Sequence, residues 1–115
     1  MKQYTTSDQT ANLIELGFEK PKNERWVLDV ANESTPSIQN IVKRQDYSIG
    51  ELVSFLPENI AKENEMPSTL NISLLNGEWC VEYADFLGAD FSFSSVELID
   101  AIFNMIKKLK EKEVI

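Results

Sequence analysis

Glu82, Asp85 and Asp90 crowd three carboxylates into a short stretch just after Cys80, the only thiol of the chain. Neighbouring carboxylates can hold a divalent cation or share acid–base work. The spacing here matches no calcium loop, because Gly88 does not fall where such a loop must turn. Cys80 has no base or cation beside it in sequence to stabilise a thiolate. The chain has no histidine at all. That removes the commonest general base and metal ligand, and with them any Ser–His or Cys–His nucleophile. One cysteine without histidine cannot build a structural zinc site. The four glycines, at 17, 50, 77 and 88, form no phosphate-cradling loop. No catalytic, cofactor-binding or metal-ligating residue is therefore assigned, no cofactor is expected, and the chain reads as a non-enzyme.

Aromatic residues offer a different chemistry, that of contact. Trp26, Trp79 and Tyr83 fall at strand positions expected to face a core. Phe86, Phe91 and Phe93 sit in a stretch that reads as irregular, with Gly88 inside it. Exposed together, they would mark an interaction surface; packing beneath the last helix is the competing placement.

These residues must be positioned by one domain, 1–115, since 115 residues suit a single core. The apolar share, 43%, is that of an ordinary globular chain. Apolar runs are far shorter than the ~20 residues of a membrane span, and the start, Met1 to Thr6, has no signal-peptide core. With the lone cysteine, this predicts a cytoplasmic protein. The net charge of -8 is unevenly spread: residues 58–106 carry nine acidic groups against Lys62 alone, whereas 107–115 carry four lysines against two glutamates. Such a balance disfavours nucleic acid as a partner. Membrane binding is not expected either, because Glu111 and Glu113 dilute the lysine-rich end. Another protein is the expected partner; the oligomeric state is left open.

Thr6 with Gln9 is a capping box for a helix over about 7–16, stopped by Gly17. Residues 25–31 alternate as a strand, with Trp26, Leu28 and Val30 on one face, and a weaker strand is placed over about 38–44. Ser48 with Glu51 caps a second helix, ended by Pro57. Residues 58–68 read as an acidic loop. Asn76-Gly77 is a type I′ turn signal that pairs Leu74 with Trp79, Ile72 with Val81 and Leu70 with Tyr83, placing all six on one face. Ser94 with Glu97 reads as a third capping box, opening a helix whose buried stripe is Val96, Ile99, Ile102, Phe103, Ile106 and Leu109. The prediction is an α+β fold of order α-β-β-α-β-β-α: an antiparallel sheet of about four strands, from two hairpins, with three helices on one face.

Several segments carry a resemblance: Tyr4-Thr5-Thr6 with Gln9, Leu13 and Leu16-Gly17; Tyr47-Ser48-Ile49-Gly50-Glu51-Leu52 ending in Leu56-Pro57; Asn76-Gly77-Glu78-Trp79 with Val81 and Tyr83; and Leu98-Ile99-Asp100-Ala101. Together they resemble a family of small uncharacterised proteins of gut bacteria, often carried in phage or other mobile-element regions. That family often has a tryptophan where this chain has Tyr47, and a less charged C-terminus. The resemblance implies a genetic context rather than an activity. Three functions remain in order of preference: a non-catalytic protein-interaction or regulatory protein; an acidic DNA mimic that inhibits a host protein; and a metal-dependent enzyme built on Glu82, Asp85 or Asp90.

Overall fold

A computed structural model describes residues 1–22, 24–28, 41–62 and 65–115. Among these residues the fold is α+β, with three helices and two antiparallel sheets. Helix α1 is Ser7–Glu15 and α2 is Ile49–Ser54, and both open with the expected capping boxes. In each, the hydroxyl of Thr6 or Ser48 accepts the third residue's N–H while Gln9 or Glu51 reaches back to the cap.

Strands β1 (Glu24–Leu28) and β2 (Ile41–Gln45) form a separate two-stranded sheet, in register from Glu24↔Gln45 to Leu28↔Ile41. The two expected hairpins therefore do not merge into one sheet. This has a direct consequence for Trp26, expected in the core: it is 69% exposed, because the main helical layer covers the other sheet. Val30, and positions 38–40 of the weaker strand, lie outside the described residues.

The four-stranded sheet runs β3 (Asn59–Lys62), β4 (Glu65–Leu75), β5 (Glu78–Asp85), β6 (Gly88–Ser95). Its central hairpin has the expected register, Leu74↔Trp79, Ile72↔Val81 and Leu70↔Tyr83. Asn76 (φ 53°) and Gly77 (φ 79°) supply the positive φ values of a type I′ turn. Two expectations are corrected around this hairpin. The expected loop over 58–68 holds strands instead: Asn59–Lys62 pairs with β4 as an edge strand, Asn59↔Thr69 to Lys62↔Glu65, and positions 63–64 lie outside the described residues. The register shifts there so that Met66 and Pro67 both oppose Ala61, a bulge that accommodates a residue with no N–H to donate. The stretch 85–93 is not irregular either: Phe86-Leu87 is a turn and Gly88–Ser95 is a strand on β5. Pairing overrides the weak strand propensity of Gly, Ala, Asp and Ser in β6.

Helix α3 (Leu98–Glu111) packs across β5 and β6. It buries Ile99, Ile102, Phe103, Ile106 and Leu109 as expected, with Leu98, Ala101 and Met105 besides. They meet Val81 and Tyr83 of the sheet, Leu13 of α1, Leu52 and Leu56 of the α2 region, and Tyr47. Each large apolar side chain taken out of water here stabilises the fold by ~1.5–3 kcal/mol before entropy is counted. Burial pushes the Tyr83 phenol up to about 12, and its hydroxyl donates to the Pro57 carbonyl at 2.6 Å. The third capping box does not form. Ser94 and Ser95 complete β6, the helix opens at Glu97 without a side-chain cap, and Val96, just before it, is 68% exposed. Ser95 serves the bend instead, accepting the Glu97 N–H at 3.1 Å.

Candidate functional site

The three carboxylates singled out in the sequence do not converge. Glu82 stands on the sheet face away from α3, accepting from Asn71 at 3.4 Å, with Cys80 Sγ 4.0 Å away. Asp85 closes the 86–87 turn, taking the Leu87 N–H at 2.8 Å. Asp90 is the extra residue of a bulge in β6, between Phe91 (opposite Tyr83) and Ala89 (opposite Ala84). It accepts the hydroxyl of Ser68, a fully buried serine of β4. Among the described residues no group of three or more His, Cys, Asp or Glu could hold a metal ion. Cys80 is half-buried, 3.5 Å from Ser92 Oγ.

A different polar cluster emerges around Asp46, which is 2% exposed. Arg25 Nη2 reaches Asp46 Oδ2 at 3.0 Å, Arg44 Nε at 3.2 Å, and the Thr10 hydroxyl donates to Oδ1 at 2.6 Å. The Thr5 and Thr10 hydroxyls are 2.6 Å apart, and Thr5 Oγ1 also accepts the Tyr47 N–H. A buried carboxylate is tolerated only when paired and hydrogen-bonded in this way. The cluster ties the β1–β2 hairpin to α1 and to the N-terminal segment, whose Tyr4 ring carries the Arg25 guanidinium at 4.2 Å. An opening of about 400 Å³ lies over it, lined in part by Lys2, Tyr4, Arg25 and Arg44. Its cations already face carboxylates, Lys2 that of Asp100 at 2.7 Å and both arginines that of Asp46. This arrangement is structural. Sequence spacing gave no sign of it, since its members lie on four separate segments.

The three phenylalanines do not form one surface. Phe91 and Phe93 are half-buried against the core, paired with Tyr83 and Val81. Phe86 stands apart at the tip of the β5–β6 turn, 78% exposed, beside Leu87 at 82%. Met66, 61% exposed, lies on the part of β4 that runs past Ala84 toward the same end of the sheet. Leu87 and Met66 were missed in the sequence. A signal for the turn was present: Asp at the first position and Gly at the fourth is a type I pattern, and Asp85-Phe86-Leu87-Gly88 carries it. The Asp85 side chain bonds the N–H two residues on, as such turns do. Phe86 and Leu87 keep negative φ, and Gly88 takes φ 140°, a conformation other residues rarely adopt.

No helix among the described residues is long and apolar enough to cross a membrane. No family model matches the chain, nor does any curated protein or any solved structure.

Proposed function

We propose that this chain is a non-catalytic protein-interaction module that engages another protein through the Phe86–Leu87 turn. One observation carries the reading: two adjacent large apolar side chains, 78% and 82% exposed, occupy a tight turn. Single exposed apolar residues are ordinary. A type I turn accepts most residues at its centre, so nothing in the backbone calls for two large apolar side chains here. The side chains of Phe86 and Leu87 add nothing to the core and cannot hydrogen-bond, so a contact outside the chain is what explains them. Met66 is exposed toward the same end of the sheet, and Asp85 and Asp90 flank the turn with the polar groups common at interface rims. Burying Phe86 and Leu87 in a partner's pocket is worth ~1.5–3 kcal/mol each.

The acidic-mimic reading is less favoured. Glu78 and Glu82 stand on the face away from α3, whereas Glu97 and Asp100 lie at the start of α3 and bind Lys2. A phosphate-like array needs its charges along one face. The metal-enzyme reading lacks a convergent carboxylate set, as described above. On the resemblance to mobile-element families, the partner belongs to a bacterial host and the interaction takes place in the cytoplasm.

The test is affinity capture from a bacterial lysate with the wild-type chain and with a Phe86→Ser/Leu87→Ser variant. A stoichiometric partner retained by the first and lost by the second supports the reading. Equal capture by both, or none by either, overturns it.

A further inference from the structure

The four-stranded sheet has two edges, and they are built differently. β3 is four residues long, and its pairing is broken by the bulge opposite Ala61. Short, irregular edges resist pairing with foreign strands. β6 is eight residues long and carries one charge, Asp90, with no lysine or proline. Its bulge is confined to the turn-proximal end, which leaves Phe91–Ser95 in regular register with β5. Among the described residues no strand pairs with its outer side. The backbone N–H and C=O groups of that side form a ready template for one more strand.

A groove runs beside this edge. It has a volume of about 270 Å³ and is lined by Phe93 of β6 and by Asn104, Lys107, Lys108 and Glu111 of α3. The four helix residues follow the i, i+3, i+4, i+7 spacing of one helix face. Phe93, half-buried against the core, gives the groove an apolar wall. Among the described residues neither Lys107 nor Lys108 is ion-paired; the Lys107 ammonium lies 5.7 Å from the Phe103 ring. These lysines belong to a basic segment, 107–115, of an acidic chain.

The geometry points to a peptide site: an extended, acidic segment of another protein adds to β6 as a fifth strand, and its every second side chain, those on the α3 face, supplies both an apolar group against Phe93 and carboxylates on Lys107 and Lys108. A strand laid between a sheet edge and a helix takes affinity from main-chain hydrogen bonds and specificity from the side chains it meets. Charge selects the occupant. A second copy docked edge to edge would place its α3 on the same side of the sheet, lysine stripe against lysine stripe, and like charges across a contact disfavour it. An acidic strand meets complementary charge instead. The inference shares the general reading of an interaction protein but uses a surface separate from the 86–87 turn.

The test uses the full chain and a fluorescent ten-residue peptide with glutamate and valine alternating over its odd positions and threonine at its even positions, so that one strand face carries both groups, at low and physiological salt. Expected is saturable binding that falls at least fivefold for the Lys107→Glu/Lys108→Glu variant. It should also fall at least fivefold for the same peptide N-methylated at alternate residues, which removes strand hydrogen bonds and leaves charge intact. Phe86→Ser/Leu87→Ser should bind the peptide as the wild type does, so failure of the turn reading and failure of this one are told apart. Three results would overturn the inference: no saturable binding at millimolar peptide, equal binding of the N-methylated peptide, or equal binding of the same peptide with lysine in place of each glutamate. A dimer whose β6 amides are protected from exchange and from which the peptide is excluded would assign the groove to a second copy, and would overturn it too.

Discussion

β5 is entered by one two-residue turn and left by another, and the two are made from opposite chemistry. Asn76-Gly77 has the residue types its backbone demands, positive φ at both centres, and no large side chain. Phe86-Leu87 has negative φ at both centres, needs Gly88 at φ 140° to recover the strand, and presents two large apolar side chains to water. The first turn is explained by the fold. The second is explained by it only in part: Asp85 and Gly88 serve the backbone, and Phe86 and Leu87 do not. Positions where local chemistry and fold disagree are where function is to be sought.

That contrast is open to experiment, and the core beneath both turns sets the scale. Ile102→Ala, which empties a fully buried site under β5, should cost ~2–5 kcal/mol in chemical denaturation. Gly77→Val should cost ~1–3 kcal/mol, because a β-branched residue at φ 79° is strained even though the space around it is open. Tyr83→Phe leaves the Pro57 carbonyl without its hydroxyl donor and should cost ~1 kcal/mol. Phe86→Ser/Leu87→Ser should change stability by less than ~0.5 kcal/mol, as surface substitutions do, while abolishing partner capture. A cost above 1 kcal/mol would instead give those side chains a role in the fold.

A further prediction concerns acid, away from both turns. Burial alone would raise the Asp100 carboxyl, but hydrogen bonds from Lys2 and Gln9 and the Lys2 charge outweigh it and hold the group below its usual 3.8. A lowered folded-state value means the contribution is present above the unfolded-state pKa and lost as pH falls through the folded one. Asp100→Asn should therefore flatten the stability profile below about pH 4. At neutral pH it should cost under ~1 kcal/mol, because the Lys2–Asp100 pair is about one-third exposed and screened.

Sequence patterning was legible where one local device determines the answer. Two capping boxes placed α1 and α2, Asn76-Gly77 placed the central hairpin with its register, and the apolar stripe of α3 was read correctly from Ile99 to Leu109. It was not legible where pairing decides. Asn59–Lys62 and Gly88–Ser95 have little strand propensity of their own and become strands because β4 and β5 offer partners. Reading 85–93 as irregular hid the turn, so Phe86 was grouped with Phe91 and Phe93, which alternation in a strand turns toward the core. Trp26 misled for a related reason: its alternation is that of a strand, but the strand belongs to a small sheet that the helical layer does not cover. Arg44 stands at strand spacing from Asp46, but Arg25 and Thr10 lie 21 and 36 residues from it, too far for any spacing rule to join them.

The most direct measurement exchanges the chemistry of one turn for that of the other. The Phe86→Ser/Leu87→Asn variant gives the 86–87 turn small polar residues, as at 76–77, of kinds that its negative φ values accept. Capture of a bacterial partner should disappear, with the denaturation midpoint unchanged or raised. A variant that captures the partner as well as the wild type, or that loses more than ~1 kcal/mol of stability, would contradict the claim that Phe86 and Leu87 are there for contact rather than for the fold.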